Sequence, residues 1–167
     1  MNTDNAKKVA QAISYAIQQY KLPATAIPLA ILQAAHESGG FNSHLFIQAN
    51  NASGIKANKH FGFNSGIKSP EGDNYAGYDS LNDWAMDFIR ILNKDGVLTA
   101  KSIDEYANGL KAHGYFTAPL EEYKAALKKW VATFKYHFPN FEKLFSGSGI
   151  TVIGLILIII FIFVTAK

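Results

Sequence analysis

Glu37 and the pair Glu71/Asp73 are the acids of this sequence that ordinary helix surfaces do not explain. Glu37 follows an apolar run, residues 27–35, and precedes Ser38-Gly39-Gly40-Phe41-Asn42-Ser43. The run reads as a helix and the double glycine as its terminator, so the carboxylate falls in the last turn. The carbonyl end of a helix carries roughly half a negative charge, and an anion there costs about 0.3–1 kcal/mol. That polarity and the apolar residues behind it both disfavour the ionised form, which suits Glu37 to holding a proton. Glu71 falls on a turn in a different part of the chain. Two carboxylates delivered from opposite walls of a cleft, one protonated and the other a base or stabiliser, are what glycoside hydrolysis needs. From these residues alone, a plain surface glutamate is the competing reading of Glu37. Asp4, Asp87, Asp95, Glu121, Glu122 and Glu142 read as helix-surface or cap charges.

The elements that must position these acids follow from periodicity. Residues 4–20 carry Val9, Ala12, Ile13, Ala16, Ile17 and Tyr20 at helical spacing, and Leu22-Pro23 ends the helix. Pro28 suits the first turn of the helix that leads to Glu37. Residues 41–79 lack a helical period and are rich in Gly, Asn, Ser and aromatics. They predict short strands with turns at Asn64-Ser65-Gly66 and at Glu71-Gly72-Asp73-Asn74. Ser80 with Asp83, and Ser102 with Glu105, open two further helices by capping pairs. Gly114 ends the second of these, and Pro119 opens a last helix with Tyr123, Ala126, Leu127, Trp130, Val131 and Phe134 on one stripe. The expected architecture is mainly α, a helical lobe plus a small β-hairpin lobe.

The totals set the outer limits. A chain of 167 residues suits one compact domain, here residues 1–139, with a connector at 140–149. No charge occurs from Leu144 to Ala166, and most of residues 150–166 are Ile, Leu, Val or Phe. That length approaches the roughly 20 apolar residues needed to span a bilayer, so the segment is expected to be a single transmembrane helix. Lys167 is the only basic residue beyond position 145, which leaves 15 Lys/Arg against 13 Asp/Glu in the rest. That balance gives no argument for nucleic acid. There is no cysteine, so no disulfide framework or thiolate metal site is expected. His36, His44 and His60 lack the spacing that sets two imidazoles on one helix face, and neither a metal nor a cofactor is expected. The N-terminus lacks the basic region and apolar core of a signal peptide.

Four blocks in order resemble the signature of glycoside hydrolase family 73, the peptidoglycan N-acetylglucosaminidases of the flagellar-muramidase and autolysin type. They are Glu37-Ser38 followed by Ser43; Asn50-Asn51-Ala52-Ser53-Gly54-Ile55-Lys56; Tyr78-Asp79-Ser80; and Gly114-Tyr115-Phe116-Thr117-Ala118-Pro119-Leu120-Glu121-Glu122-Tyr123. The resemblance covers roughly residues 5–135 and implies a lysozyme-like α+β fold. It implies that Glu37 is the general acid, Glu71 the second carboxylate and Tyr115 an active-site tyrosine. Asp73 competes with Glu71. If Glu71 acts as base on water the reaction inverts; if it is dispensable, the substrate's N-acetyl group is the nucleophile and Tyr115 positions it. Asn50 and Asn51 are expected to hydrogen-bond N-acetyl groups, and Tyr75 and Tyr78 to stack on sugar rings. The sequence departs from the family pattern at Gly39-Gly40-Phe41, at Ala52-Ser53 and at Ala118.

The expected activity is therefore endo-β-N-acetylglucosaminidase cleavage of the β-1,4 bonds of peptidoglycan glycan strands. A lytic transglycosylase and a non-catalytic glycan-binding module are the alternatives. The expected setting is a single-pass membrane protein anchored at its C-terminus. Either the internal membrane of a lipid-containing phage virion or a bacterial membrane would accommodate it.

Overall fold

The computed structural model describes residues 1–57 and 62–141. The expected membrane helix at 150–166, most of the connector at 140–149, Glu142 and His60 lie outside the described residues. Among the described residues no helix is long and apolar enough to cross a membrane.

Among the described residues six α-helices and one hairpin make the fold: α1 (Thr3–Gln19), α2 (Ala26–Glu37), α3 (His44–Ala49), β1 (Phe63–Lys68), β2 (Asn74–Gly77), α4 (Leu81–Leu92), α5 (Ile103–Ala112) and α6 (Leu120–His137). A 3₁₀ turn at Val97–Thr99 joins α4 to α5. Residues 26–35 of α2 are all buried. A helix that is apolar all round must be enclosed, and α1 and α6 pack directly on α2 while α4 backs α1. The capping pairs act as expected: Ser80 accepts from the Asp83 amide and Ser102 from the Glu105 amide. Trp84 stacks on Phe88 with ring centroids 5.0 Å apart, and both are fully buried on the core face of α4.

The end of α2 is built with unusual care. Ser38 and Gly39 close it, and the Gly40 amide donates back to the Ala35 carbonyl at 2.8 Å, as in a Schellman motif. Gly39, Gly40 and Phe41 then all adopt left-handed backbone, with φ of 59°, 73° and 66°. Such a conformation is costly for a bulky residue. Phe41 is held in it by three ties. Its amide donates to Ser38 Oγ, its carbonyl accepts from Asn5 Nδ2, and its fully buried ring packs against Phe46 and Phe134. Gly40 has no room for a side chain, since a Cβ there would lie 2.8 Å from the Trp130 ring and 3.2 Å from the Met1 backbone. Gly40→Ala should therefore destabilise the fold by about 1–3 kcal/mol, read from a urea midpoint that falls at unchanged m-value.

Two expectations change. Residues 41–79 contain a helix, α3, capped by Ser43 accepting from the Phe46 amide and ended by left-handed Asn50. Asn64-Ser65-Gly66 is not a hairpin turn but an irregularity within β1. Register is lost between Asn64 and Lys68, and left-handed Gly66 donates its amide to Asn64 Oδ1. A left-handed residue inside a strand produces a bulge rather than a reversal. The reversal comes at residues 69–73, where the Ser69 amide donates to the Asp73 carbonyl and the Gly72 amide to the Ser69 carbonyl.

Candidate active site

Glu37 ends α2 with one side open to solvent. Its Oε1 accepts a hydrogen bond from Gln33 Nε2, one turn earlier, at 2.8 Å. Gln33 is fully buried and also donates to the Tyr123 hydroxyl of α6. Tyr106 of α5 and Tyr115 of the α5–α6 loop complete the surroundings; burial, with the Glu37 charge as a lesser cause, pushes their phenol ionisation well up. Protein atoms crowd the carboxyl from below and beside it. This desolvation pushes Glu37 up to about 7 against opposing hydrogen bonds from Gln33 and Tyr123. A carboxyl on the floor of an open cleft is both reached by water and poorly solvated, and here poor solvation sets the direction. His36 packs edge-on against Tyr123, ring centroids 5.1 Å apart, and burial lowers its pKa.

The cleft above Glu37 has a volume of about 310 Å³ and is lined by Ser53, Gly54, Ile55, Lys56, Ile91 and Tyr115. Tyr115 reaches it because α5 ends on left-handed Gly114, with the Tyr115 amide returning to the Leu110 carbonyl and the Gly114 amide to the Lys111 carbonyl. Lys111 Nζ bonds the carbonyls of Thr117 and Ala118, and Phe116 stacks flat on Tyr123 at 3.6 Å. The loop bearing Tyr115 is thus fixed at both ends. The facing wall, residues 53–56, runs beside β2. The Ala76 amide donates to the Ile55 carbonyl, and Lys56 makes an isolated antiparallel bridge with Tyr75. Trp84 Nε1 reaches across from α4 to Ser53 Oγ at 2.9 Å.

The model of the glucosaminidase family, described as mannosyl-glycoprotein endo-beta-N-acetylglucosaminidase, matches residues 10–136. The chain belongs to the glucosaminidase family. This glucosaminidase is accordingly a glycoside hydrolase. Its fold is similar to that of the glycoside hydrolase domain of FlgJ from Salmonella typhimurium. The two are 22% identical, with a TM-score of 0.61 over 87% of this chain and 96% of that domain. No curated protein matches the chain.

The residues expected at the site fall into three groups in the glucosaminidase. Glu37 and Tyr115 meet in the cleft. Glu71 does not line the cleft. It lies on the exposed hairpin turn and connects to the cleft through Lys56, whose Nζ is 3.6 Å from Glu71 Oε2 and also pairs with Asp73. The neighbouring Ser69 and its own backbone, together with the Lys56 charge, hold Glu71 below the usual glutamate range. Tyr75 is likewise not among the cleft-lining residues; its half-buried ring lies beside the wall, 3.7 Å from where a Gly54 Cβ would stand.

The third group is structural. Asn51 is buried. Its Nδ2 donates to the Ile55 and Ala76 carbonyls at 2.9 Å, and its Oδ1 accepts from the Ser53 and Ile55 amides at 3.2 Å. With both amide hydrogens and both lone pairs engaged, it does not face the cleft. Asn50 donates to the Tyr78 carbonyl. Tyr78 is buried and donates its hydroxyl to Asp87 Oδ2 at 2.8 Å, lining a separate hollow with Tyr20, Phe63 and Met86. The Tyr78 ring, expected to stack on a sugar, is thus enclosed here and stands apart from the cleft of Glu37. Asp87, expected on a helix surface, is 2% exposed and shared between Tyr78 and Arg90. Tyr78→Phe should cost about 1.5–3 kcal/mol, the value of a hydrogen bond to a charged group, with turnover retained. Urea unfolding and a kinetic assay on the same sample check both halves.

Gln33 and Tyr106, which no motif singles out, surround the acid together with Tyr123, the last residue of the fourth motif block. Gln33 carried a signal: it stands four residues before Glu37, the spacing that stacks side chains on one helix face. Among the described residues no three His, Cys, Asp or Glu side chains could hold a metal ion.

Proposed function

We propose that this glucosaminidase cleaves β-1,4 bonds of peptidoglycan glycan strands, with Glu37 as general acid. The observation that carries the reading is the divergent environment of two carboxyls. Glu37 is poorly solvated and pushed up to about 7, while Glu71 is pulled below its ordinary value. Groups whose surroundings drive their pKa values apart are suited to acid and base roles. Glu37 donates its proton to the glycosidic oxygen as the C–O bond breaks. Glu71, kept ionised by its setting on the turn and by Lys56, removes a proton from the water that attacks the anomeric carbon. Tyr115 faces the sugar from the cleft wall and, in the substrate-assisted alternative in which Glu71 is dispensable, orients the N-acetyl nucleophile. Tyr75 supplies a ring beside the cleft wall, and Asn50 and Asn51 act by holding that wall.

Sacculus digestion tests the reaction. The full-length chain in detergent should release fragments with reducing-end N-acetylglucosamine from purified peptidoglycan. Anhydro-sugar ends would instead make it a transglycosylase, and binding without turnover a glycan-binding module. Glu71→Gln should lower turnover by about 10²–10⁴-fold, as for loss of a general base, with Asp73→Asn close to parental. Because Glu71 is not among the cleft-lining residues, activity retained in Glu71→Gln would assign the nucleophile to the substrate's own N-acetyl group.

The reading also includes an anchor. Residues 150–166 carry no charge and have the length and apolarity of a membrane span, which would hold the catalytic domain within a short connector of a lipid surface. Resistance to alkaline carbonate extraction supports this, and release rejects it. The carrier we favour is the internal membrane of a lipid-containing phage virion. Recovery of the protein from purified lipid-containing particles supports that placement, and its absence from them leaves the bacterial membrane.

A further inference from the structure

Gln33 has the surroundings of a core residue and the chemistry of a site residue. It is the one polar residue among the fully enclosed positions 26–35 of α2. Burial of a carboxamide is costly unless all of its polar atoms find partners. Here they do not: Gln33 Oε1 is buried without a hydrogen-bond partner among the described residues, as is the hydroxyl of Tyr106. An apolar residue of this shape would avoid that cost. The part of Gln33 that is engaged is Nε2, and both its bonds go to the site, one to Glu37 Oε1 at 2.8 Å and one to the Tyr123 hydroxyl. Donation by Nε2 suits Glu37 in both of its states, because the Oε1 of a neutral carboxyl whose proton sits on Oε2 still accepts.

We propose that Gln33 is the positioning residue for the general acid: by donating to Glu37 Oε1 it fixes the carboxyl plane and reserves Oε2 as the oxygen that carries the transferable proton into the cleft. Tyr123 steadies Gln33 from α6, and the flat stack of Phe116 on Tyr123 couples this brace to the loop that carries Tyr115. The inference rests on Glu37 being the general acid. The bond also acts on the titration of Glu37, favouring its ionised form and so holding its pKa below what burial alone would give. The other groups that face Glu37 are His36 on its own helix, Tyr106 from α5, Tyr115 from the α5–α6 loop, Tyr123 from α6 and Lys56 from the opposite wall of the cleft.

The test is a pair of variants of the full-length chain, assayed in detergent on purified peptidoglycan across pH. Gln33→Met keeps the volume and removes the donor. It should lower kcat by roughly 10- to 100-fold with KM little changed, and move the basic limb of kcat/KM to higher pH. A residue that only filled the core would shift the thermal midpoint and leave that limb in place. Gln33→Glu keeps the shape, and its neutral form can donate the same bond. Its activity relative to the parent should therefore climb as pH falls from about 8 to about 5, across the range in which a buried carboxyl takes up its proton. A Gln33→Met enzyme with parental kcat and limb, or a Gln33→Glu ratio independent of pH, overturns the proposal; if Gln33→Met does not fold, Gln33→Glu alone decides. Should the parent and Glu37→Gln release the same products at the same rate, the assignment of Glu37 itself fails. If Glu37→Gln is inactive while the Gln33 variants match the parent, the positioning role alone fails.

Discussion

Glu37→Gln should lower turnover on peptidoglycan by about 10²–10⁴-fold, while leaving the fold intact and more tolerant of alkaline pH. The two halves have one cause. Glutamine keeps the shape of a neutral glutamic acid but has no proton to give to a leaving oxygen. The folded-state pKa of Glu37, about 7, lies above the ordinary glutamate value of 4.5. The unfolded chain therefore gives up this proton first as pH rises. The stability tied to the neutral carboxyl is fully present below about pH 4.5 and is lost as pH climbs through about 7. Glutamine carries no such dependence. Water on the open side of the cleft screens the charge, so the gain of Glu37→Gln over the parent at pH 8 should be about 1–2 kcal/mol, vanishing near pH 4. Denaturant melts of both proteins at the two pH values check the sign. An equal difference at both would contradict the account.

Asn51→Ala should be the most disruptive single change in the cleft wall, costing about 3–5 kcal/mol. Its side chain gathers four backbone groups: the Ser53 amide, the Ile55 amide and carbonyl, and the Ala76 carbonyl. Truncation leaves several of these buried and unpaired, each at about 1–3 kcal/mol. Because Ser53, Gly54, Ile55 and Lys56 line the cleft, activity should fall with stability, and both should be partly restored at low temperature or in a stabilising osmolyte. A substrate ligand would behave otherwise, with raised KM and unchanged melting. Paired unfolding and kinetic measurements on Asn51→Ala separate the two roles.

The contrast between Asn51 and Glu37 shows what could be read from the sequence. Glu37 was legible because local rules act on it: a continuous apolar period, a double glycine and the polarity of a helix end. The same local rules gave α1, α2, α4, α5 and α6, together with the caps at Ser80 and Ser102. Tyr115 came through its motif, and the Schellman turn at Gly114 explains how that motif delivers it. What escaped depends on partners far along the chain. Asn51 meets Ala76, Tyr78 meets Asp87, and Gln33 meets Tyr123. Tyr123 looked like one more member of an apolar stripe because a tyrosine presents an apolar body and hides a polar tip. Helix α3, with six residues, is too short for a helical period to emerge, and its Gly- and Asn-rich neighbours masked the Ser43 cap. Asp87 was misread because its spacing on α4 gave no hint that Tyr78 would close over it.

The proton on Glu37 is the claim on which the rest depends. NMR titration of the Glu37 side-chain carboxyl carbon, assigned by its disappearance in Glu37→Gln, measures it in the folded protein without substrate. The predicted result is a midpoint near 7, with Glu71 titrating below the ordinary glutamate value in the same spectra. A Glu37 midpoint at or below the ordinary 4.5 would mean that the carboxyl is ionised at neutral pH, and the assignment of this residue as general acid would fall.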